Sequence, residues 1–226
     1  MNTTDPMAAL YPFLADSGAD TAPASGERIE ELTAEVTAST AAKLREITAL
    51  RRAVVAADAA RIVECASAMA AAFAAGGRLF AMGNGGSATD AAELASLFVA
   101  PDAAGRQLPA YVLTGDVAAV TALSNDVGFE QVFARQLAAF ARSGDIVVGL
   151  STSGNSENLL AAFPLARERG LLTIGLSGAS GGRMAELDSL DHLFVVPSAS
   201  VHRIQEAQTT IYHVLWELTV AALRED

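Results

Sequence analysis

Ile146-Val147-Val148-Gly149-Leu150 runs directly into Ser151-Thr152-Ser153-Gly154-Asn155-Ser156, and a helix-like stretch from Glu157 to Arg169 follows. An apolar run, a hydroxyl-rich turn and a helix make one unit: a buried strand that empties into a loop from which a helix starts. The first N–H groups of such a helix have no partner inside it and carry the positive end of its dipole. Ser151, Thr152, Ser153 and Ser156 place hydroxyls beside those N–H groups, which suits a phosphate. An ordinary Ser N-cap is the plainer reading, and it accounts for a single serine.

Working outward, the same strand–loop–helix alternation recurs. Arg78–Met82 reads as a strand, followed by Gly83-Asn84-Gly85-Gly86-Ser87 and a helix to about Ala100. Ala110–Leu113, Leu171–Leu176 and His192–Val196 read as further strands. Helices are expected over Thr114–Leu123 and Gly128–Ala141, with a break across Ser124–Gly128, and over Val201 to about Arg224. Strands separated by helices pair in parallel, because each must return through a crossover. The expected fold is α/β, a three-layer α/β/α domain on a five-stranded parallel sheet of flavodoxin-like type. Ligands collect at the carboxyl ends of such strands, so loops 83–87 and 151–156 can face one pocket.

Upstream, Ile29, Leu32, Val36, Leu44, Ile47, Leu50 and Val54 recur at helical spacing. A second helix is expected from about Asp58 to Ala75, ending at Gly76-Gly77. Together they predict a helical hairpin. Its apolar stripe needs a partner, either within the chain or in a second copy. Asp16 to Gly26 contains no large apolar residue and reads as a linker. Residues 1–26 are therefore expected to be a flexible extension, and residues 27–226 a single domain. Within the extension, Met7–Leu14 is an apolar turn that either docks on a neighbouring surface or frays.

The 226 residues are 51% hydrophobic and 18% charged, with a net charge of −11 and a pI of about 4.7. No basic stripe is available to replace phosphate counterions, which argues against a nucleic-acid partner. An anionic ligand must instead be held by local dipoles. Cys65, alone in the sequence, rules out an internal disulfide and fits a reducing cytoplasm. No apolar run reaches the ~18 residues of a membrane span, so no membrane partner is expected and the chain reads as cytoplasmic.

The loop Gly83–Ser87 lets backbone approach a ligand closely. It is no P-loop, since no Lys-Ser/Thr follows. Gly83, Gly85 and Ala88 fit a dinucleotide fingerprint, with Asp116 near the end of the second strand. A second phosphate-type loop at 151–156 is not what a dinucleotide fold requires, and no nucleotide cofactor is expected. Both loops, taken with Asn125-Asp126-Val127-Gly128-Phe129 and Arg203-Ile204-Gln205-Glu206, resemble the SIS (sugar isomerase) domain family from about residue 45 onward. Within it the chain is most similar to phosphoheptose isomerases, which act on sedoheptulose 7-phosphate.

The resemblance implies a phosphorylated sugar as ligand, a homotetramer with sites at subunit contacts, and roles residue by residue. Ser151, Thr152, Ser153 and Ser156 match the phosphate loop. Asn84, Gly85 and Gly86, with Ser87 beside them, match the loop lying against the sugar. Asn125 and Asp126 match a substrate-contacting pair. Gln205 and His213 match positions facing a metal, zinc in the family, and the reacting carbons. Aldose–ketose isomerisation needs a base at the carbon next to the carbonyl and an acid for the oxygen. The acid position is kept as His213. The family's base, a Glu one turn after a metal-binding His, corresponds here to Leu97, and that His to Glu93.

Three readings follow. Glu93 replaces the missing carboxylate, with Glu93, Gln205 and His213 as a divalent-metal set. Alternatively, the protein isomerises another sugar phosphate. Or it binds a sugar phosphate without turnover, as a regulatory or assembly protein. Tyr212 and Trp216 read as packing residues on the last helix, and Arg203 and Glu206 as a local pair.

Overall fold

The computed structural model describes residues 26–100 and 107–225. Except for Gly26, the expected flexible extension, with its turn at Met7–Leu14, lies outside the described residues. The chain divides into two compact units, residues 1–44 and 45–226. The described part of the first is helical and exposes Ile29, Leu32 and Val36.

The expected hairpin is corrected. Helix α1 runs unbroken from Gly26 to Ala74 over 49 residues. Between Val54 and Ala60 the chain has no Gly or Pro, and alanine is the strongest helix former, so nothing there turns the chain. The stop falls where expected. Gly76 adopts φ 85°, and Gly77 N–H donates to the Ala72 carbonyl at 2.9 Å.

The second unit is the sandwich. Strands β1 (Leu79–Gly83), β2 (Ala110–Val112), β3 (Ile146–Ser151), β4 (Leu172–Gly178) and β5 (His192–Val196) form one sheet. Its order is β2-β1-β3-β4-β5, with every pair parallel. Between the strands lie α2 (Gly86–Val99), α3 (Val117–Asp126), α4 (Val132–Phe140) and α5 (Glu157–Glu168), and α6 (Val201–Glu225) closes the chain. On one face α1, α2 and α6 bury Met69, Leu94, Phe98, Ile204 and Leu215 against the sheet. On the other, α4 and α5 bury Phe133, Leu137, Leu159 and Phe163. Both faces of β1 and β3 are covered, which is why they read as unbroken apolar runs.

Strand order reverses between β1 and β3, and such a switch point opens a crevice at the strands' carboxyl ends. The two special loops leave the sheet from these neighbouring strands, Gly83 pairing with Leu150. A second boundary differs from expectation. Asp116 caps α3, its Oδ1 accepting from Ala119 N–H at 3.0 Å, so the helix starts after Asp116 instead of at Thr114. That cap also accounts for Asp116 without a ribose. Asn125 and Asp126 close α3, and the chain turns only at Gly128, where φ is 102°.

At the opposite end of the sheet Asp145 is fully buried. It accepts from the backbone N–H groups of Arg78 (2.9 Å) and Arg142 (2.8 Å) and from the Arg78 guanidinium (2.7 Å). Burial alone would raise its pKa. The hydrogen bonds from Arg78 and Arg142 outweigh that, and the carboxyl is held below its ordinary value. A lowered folded pKa adds stability above the unfolded value of about 3.9, lost as pH falls through the folded value. Asp145→Asn should therefore destabilise the protein by about 1–3 kcal/mol at neutral pH. It should also lose less stability than wild type on acidification below about pH 4. Thermal melts from pH 7 to 2 check this, and parallel curves for the two proteins would refute it.

Candidate active site

The turn after β3 is a serine cluster braced from behind. Ser151 Oγ lies 2.9 Å from Ser156 Oγ and 3.5 Å from Ser153 Oγ, and accepts from Gly154 N–H at 3.2 Å. Ser156 is the N-cap residue of α5, yet its hydroxyl makes no cap hydrogen bond. The ordinary cap reading therefore fails at the position where it was plainest. Asn155 ties the turn to the segment after β4: its Oδ1 accepts from Arg183 N–H at 3.0 Å, and Met184 N–H donates to the Gly154 carbonyl at 2.9 Å. Arg183 and Glu157 form an ion pair beside the first turn of α5.

The loop after β1 is joined to this turn by an amide pair. Asn84 Nδ2 donates to Asn158 Oδ1 at 2.8 Å, and Asn158 Nδ2 donates to Asn84 Oδ1 at 2.9 Å. Asn158 is 1% exposed, so its amide is fully committed to holding the two loops in register. A hollow of about 540 Å³ opens here, lined by Asn84, Phe129, Glu130, Ser156, Glu157 and Asn158. Nothing in the serine-rich spelling of the loop singled out Asn158. Its signal is an amide in the first turn of a helix whose inward face is otherwise apolar.

Helix α2 starts at Gly86, where the missing side chain leaves room for Gln205 of α6. A Cβ would sit 2.5 Å from Gln205 Nε2. Its apolar residues Ala91, Leu94, Ala95 and Phe98 bury at helical spacing and turn Asp90, Glu93 and Leu97 towards neighbouring positions of the same flank. Gln205 Nε2 donates to Asp90 Oδ2 at 3.0 Å. Burial raises the Asp90 pKa, the Gln205 hydrogen bond opposes that, and the charge of Glu93 adds to the rise. Further along, Tyr212 Oη donates to Glu93 Oε2 at 2.7 Å, and His213 Nε2 lies 3.1 Å from Glu93 Oε1. Hydrogen bonds from Tyr212 and then His213 hold the Glu93 carboxyl below its ordinary value. Tyr212 is fully buried, and its hydroxyl is pushed well above its ordinary value, in the first place by that burial, with Glu93 adding to it. Its ring stacks on His213 with centroids 5.2 Å apart. Tyr212 was expected only to pack, whereas a buried phenol needs a partner for its hydroxyl. Leu97 packs against the core.

The expected residues are not all drawn together. Glu93 meets His213, and Gln205 meets Gly86 through Asp90's helix, but Asn125 and Asp126 bond to each other at 2.8 Å. Phe129 and Glu130, a few residues on, line the hollow in their stead. Each member of the expected metal set, Glu93, Gln205 and His213, meets another side chain within the chain. Among the described residues no three His, Cys, Asp or Glu side chains converge on one point. Gln205 faces Asp90, and Glu93 is engaged by Tyr212 and His213. A zinc site takes three or four protein donors, and Glu93, Gln205 and His213 are the three this chain would offer. Arg203 does pair with Glu206, and also with Glu46.

Comparison with known proteins bears on this geometry. The profile of the family described as SIS domain matches residues 44–178. A phosphoheptose isomerase of Pelobacter propionicus is 43% identical over 161 residues, covering 71% of this chain and 84% of that protein. One of Geobacter sulfurreducens is 53% identical over 72 residues, a match spanning 32% of this chain and 37% of that relative's length. Among solved structures, phosphoheptose isomerase from Neisseria gonorrhoeae superposes with a TM-score of 0.76 at 34% identity, covering 82% of this chain and 99% of the other. The Francisella tularensis enzyme gives 0.73 at 32% identity, covering 81% and 97%.

Proposed function

The chain belongs to the SIS domain family, and from that premise we propose that it is a sugar-phosphate isomerase of the phosphoheptose type. It interconverts an aldose and a ketose phosphate, sedoheptulose 7-phosphate being the first substrate to test. The phosphate sits on Ser151, Thr152, Ser153 and Ser156 at the start of α5. Asn84, Gly85, Gly86 and Ser87 lie along the sugar, with Asn125, Asp126 and Gln205 as further substrate contacts. Glu93 and His213 form the acid–base pair. The observation that carries this reading is the uncapped serine cluster at a helix N-terminus, held in register with the loop after β1 by the Asn84–Asn158 pair.

The protein works as a cytoplasmic homo-oligomer, a tetramer in this reading. The exposed Ile29, Leu32 and Val36 of α1 are the stripe a second copy would cover. Light scattering at micromolar concentration tests that, and a monomer would remove it. For the activity, the protein is incubated with sedoheptulose 7-phosphate in deuterated water and followed by NMR. Product formation with deuterium at C1 or C2 is expected. Thermal stabilisation by the sugar phosphate without exchange would make the protein a non-catalytic binder. Stabilisation by neither heptose nor hexose phosphates would remove the phosphate loop from its role.

A further inference from the structure

Family resemblance casts a carboxylate as the base and a histidine as the acid, but the contacts around Glu93 fit the opposite division. Both Glu93 oxygens are engaged, Oε2 by Tyr212 and Oε1 by His213. A carboxylate so held is an orienting group, and its partner imidazole carries the free nitrogen. With Nε2–H donated to Glu93, neutral His213 presents an Nδ1 lone pair, and among the described residues no hydrogen bond reaches that atom. His213 remains half-exposed beside Glu93. Asp90, one turn before Glu93, is committed to Gln205.

Resting on the isomerase reading above, we propose that His213 is the group that carries the proton between the reacting carbons. Glu93 orients it, and Tyr212 is a positioning residue that acts through Glu93. In the reaction, His213 Nδ1 takes the proton from the carbon next to the carbonyl. The C–H electron pair becomes the C=C bond of an enediolate, and the carbonyl π pair moves onto its oxygen. The imidazolium, steadied by the Glu93 carboxylate, returns the proton to the neighbouring carbon. The remaining hydroxyl proton passes between the two oxygens of the cis-enediol, and the second carbonyl forms. One C–H and one O–H bond are exchanged for another of each, and no oxidant, reductant or co-reactant is consumed.

The deciding experiment is deuterium wash-in to unreacted sedoheptulose 7-phosphate in deuterated water, with wild type, His213→Asn and Tyr212→Phe. If His213 is the carbon base, His213→Asn loses wash-in and isomerisation together, by about 10²–10⁴-fold. Continued wash-in without product in His213→Asn would mean that another group takes the carbon-bound proton, and would overturn the proposal. Tyr212→Phe is expected to lower kcat about tenfold or more with KM nearly unchanged, the effect of losing one hydrogen bond to a charged group. An unchanged kcat would remove Tyr212 as a positioning residue. An independent readout is the His213 tautomer by ¹⁵N NMR. Wild type should show Nε2–H with Nδ1 unprotonated, and an Nδ1–H tautomer would overturn the assignment even if the protein turned over no heptose phosphate. An inactive wild type with the expected tautomer would instead fault the isomerase reading.

Discussion

Glu93→Leu is expected to lower isomerisation of sedoheptulose 7-phosphate by about 10²–10⁴-fold, because the His213 base loses the carboxylate that orients it and steadies its imidazolium. The loss should fall on kcat. Glu93 lies on the flank of α2 that meets Tyr212 and His213, and its carboxylate bonds run to those two residues and not to the serine cluster, so the phosphate contacts are untouched. Its side chain is 48% exposed, and a leucine there crowds nothing in the core. The fold should therefore survive, at the cost of the Tyr212 hydroxyl turning to Thr209, whose Oγ1 is 3.4 Å away. Steady-state kinetics and a melting curve on the same sample check this. A variant with near-normal kcat would place the proton chemistry elsewhere, with Asp90 the next group to examine. The variant would carry leucine at both 93 and 97, so no carboxylate would remain at either expected position.

Gly154→Ala is expected to weaken sugar-phosphate binding at least tenfold while leaving the Glu93–His213 pair in place. Gly154 adopts φ 66°, which costs a non-glycine residue about 1–3 kcal/mol. The larger effect is steric. A Cβ would fall on the Gly181 carbonyl, just after β4, and lie 2.6 Å from Ser177 Oγ, within β4, which donates to that carbonyl. The turn has no room to retreat, because Met184 N–H is bonded to the Gly154 carbonyl and Arg183 N–H to Asn155. Ser151, Ser153 and Ser156 must then lose their common focus. Titration of heptose phosphate, read by thermal shift, checks this. Wild-type affinity in the variant would show that the turn is looser than its contacts indicate.

The sheet was legible in the sequence because its strands are buried on both faces and its loops carry Gly, Asn and Ser. Length, apolar runs and turn residues are local signals. The hairpin was misread for the reverse reason: two helical stretches, the second from about Asp58, read as separate helices, but the alanine-rich stretch between them continues one helix. The serine cluster and the Glu93–His213 pair were legible as residues to watch. Their bonding was not, since it depends on two helices from opposite ends of the domain packing side by side. Asn158 and Tyr212 were missed because each is an ordinary residue for its helix until a distant neighbour supplies its partner.

By itself, then, the sequence determined the layer architecture, the parallel order of alternating elements, and a hydroxyl-rich turn at a helix N-terminus, since these follow from burial period and turn chemistry along a short stretch of chain. Only the tertiary structure decided that Ser156 leaves its helix uncapped, that Asn158 locks the two loops together, and that Tyr212 and His213 share the Glu93 carboxylate. The physical reason is that a hydrogen bond between residues as far apart as 93 and 213 is fixed by side-chain direction and helix packing, and neither is written in the spacing of either segment.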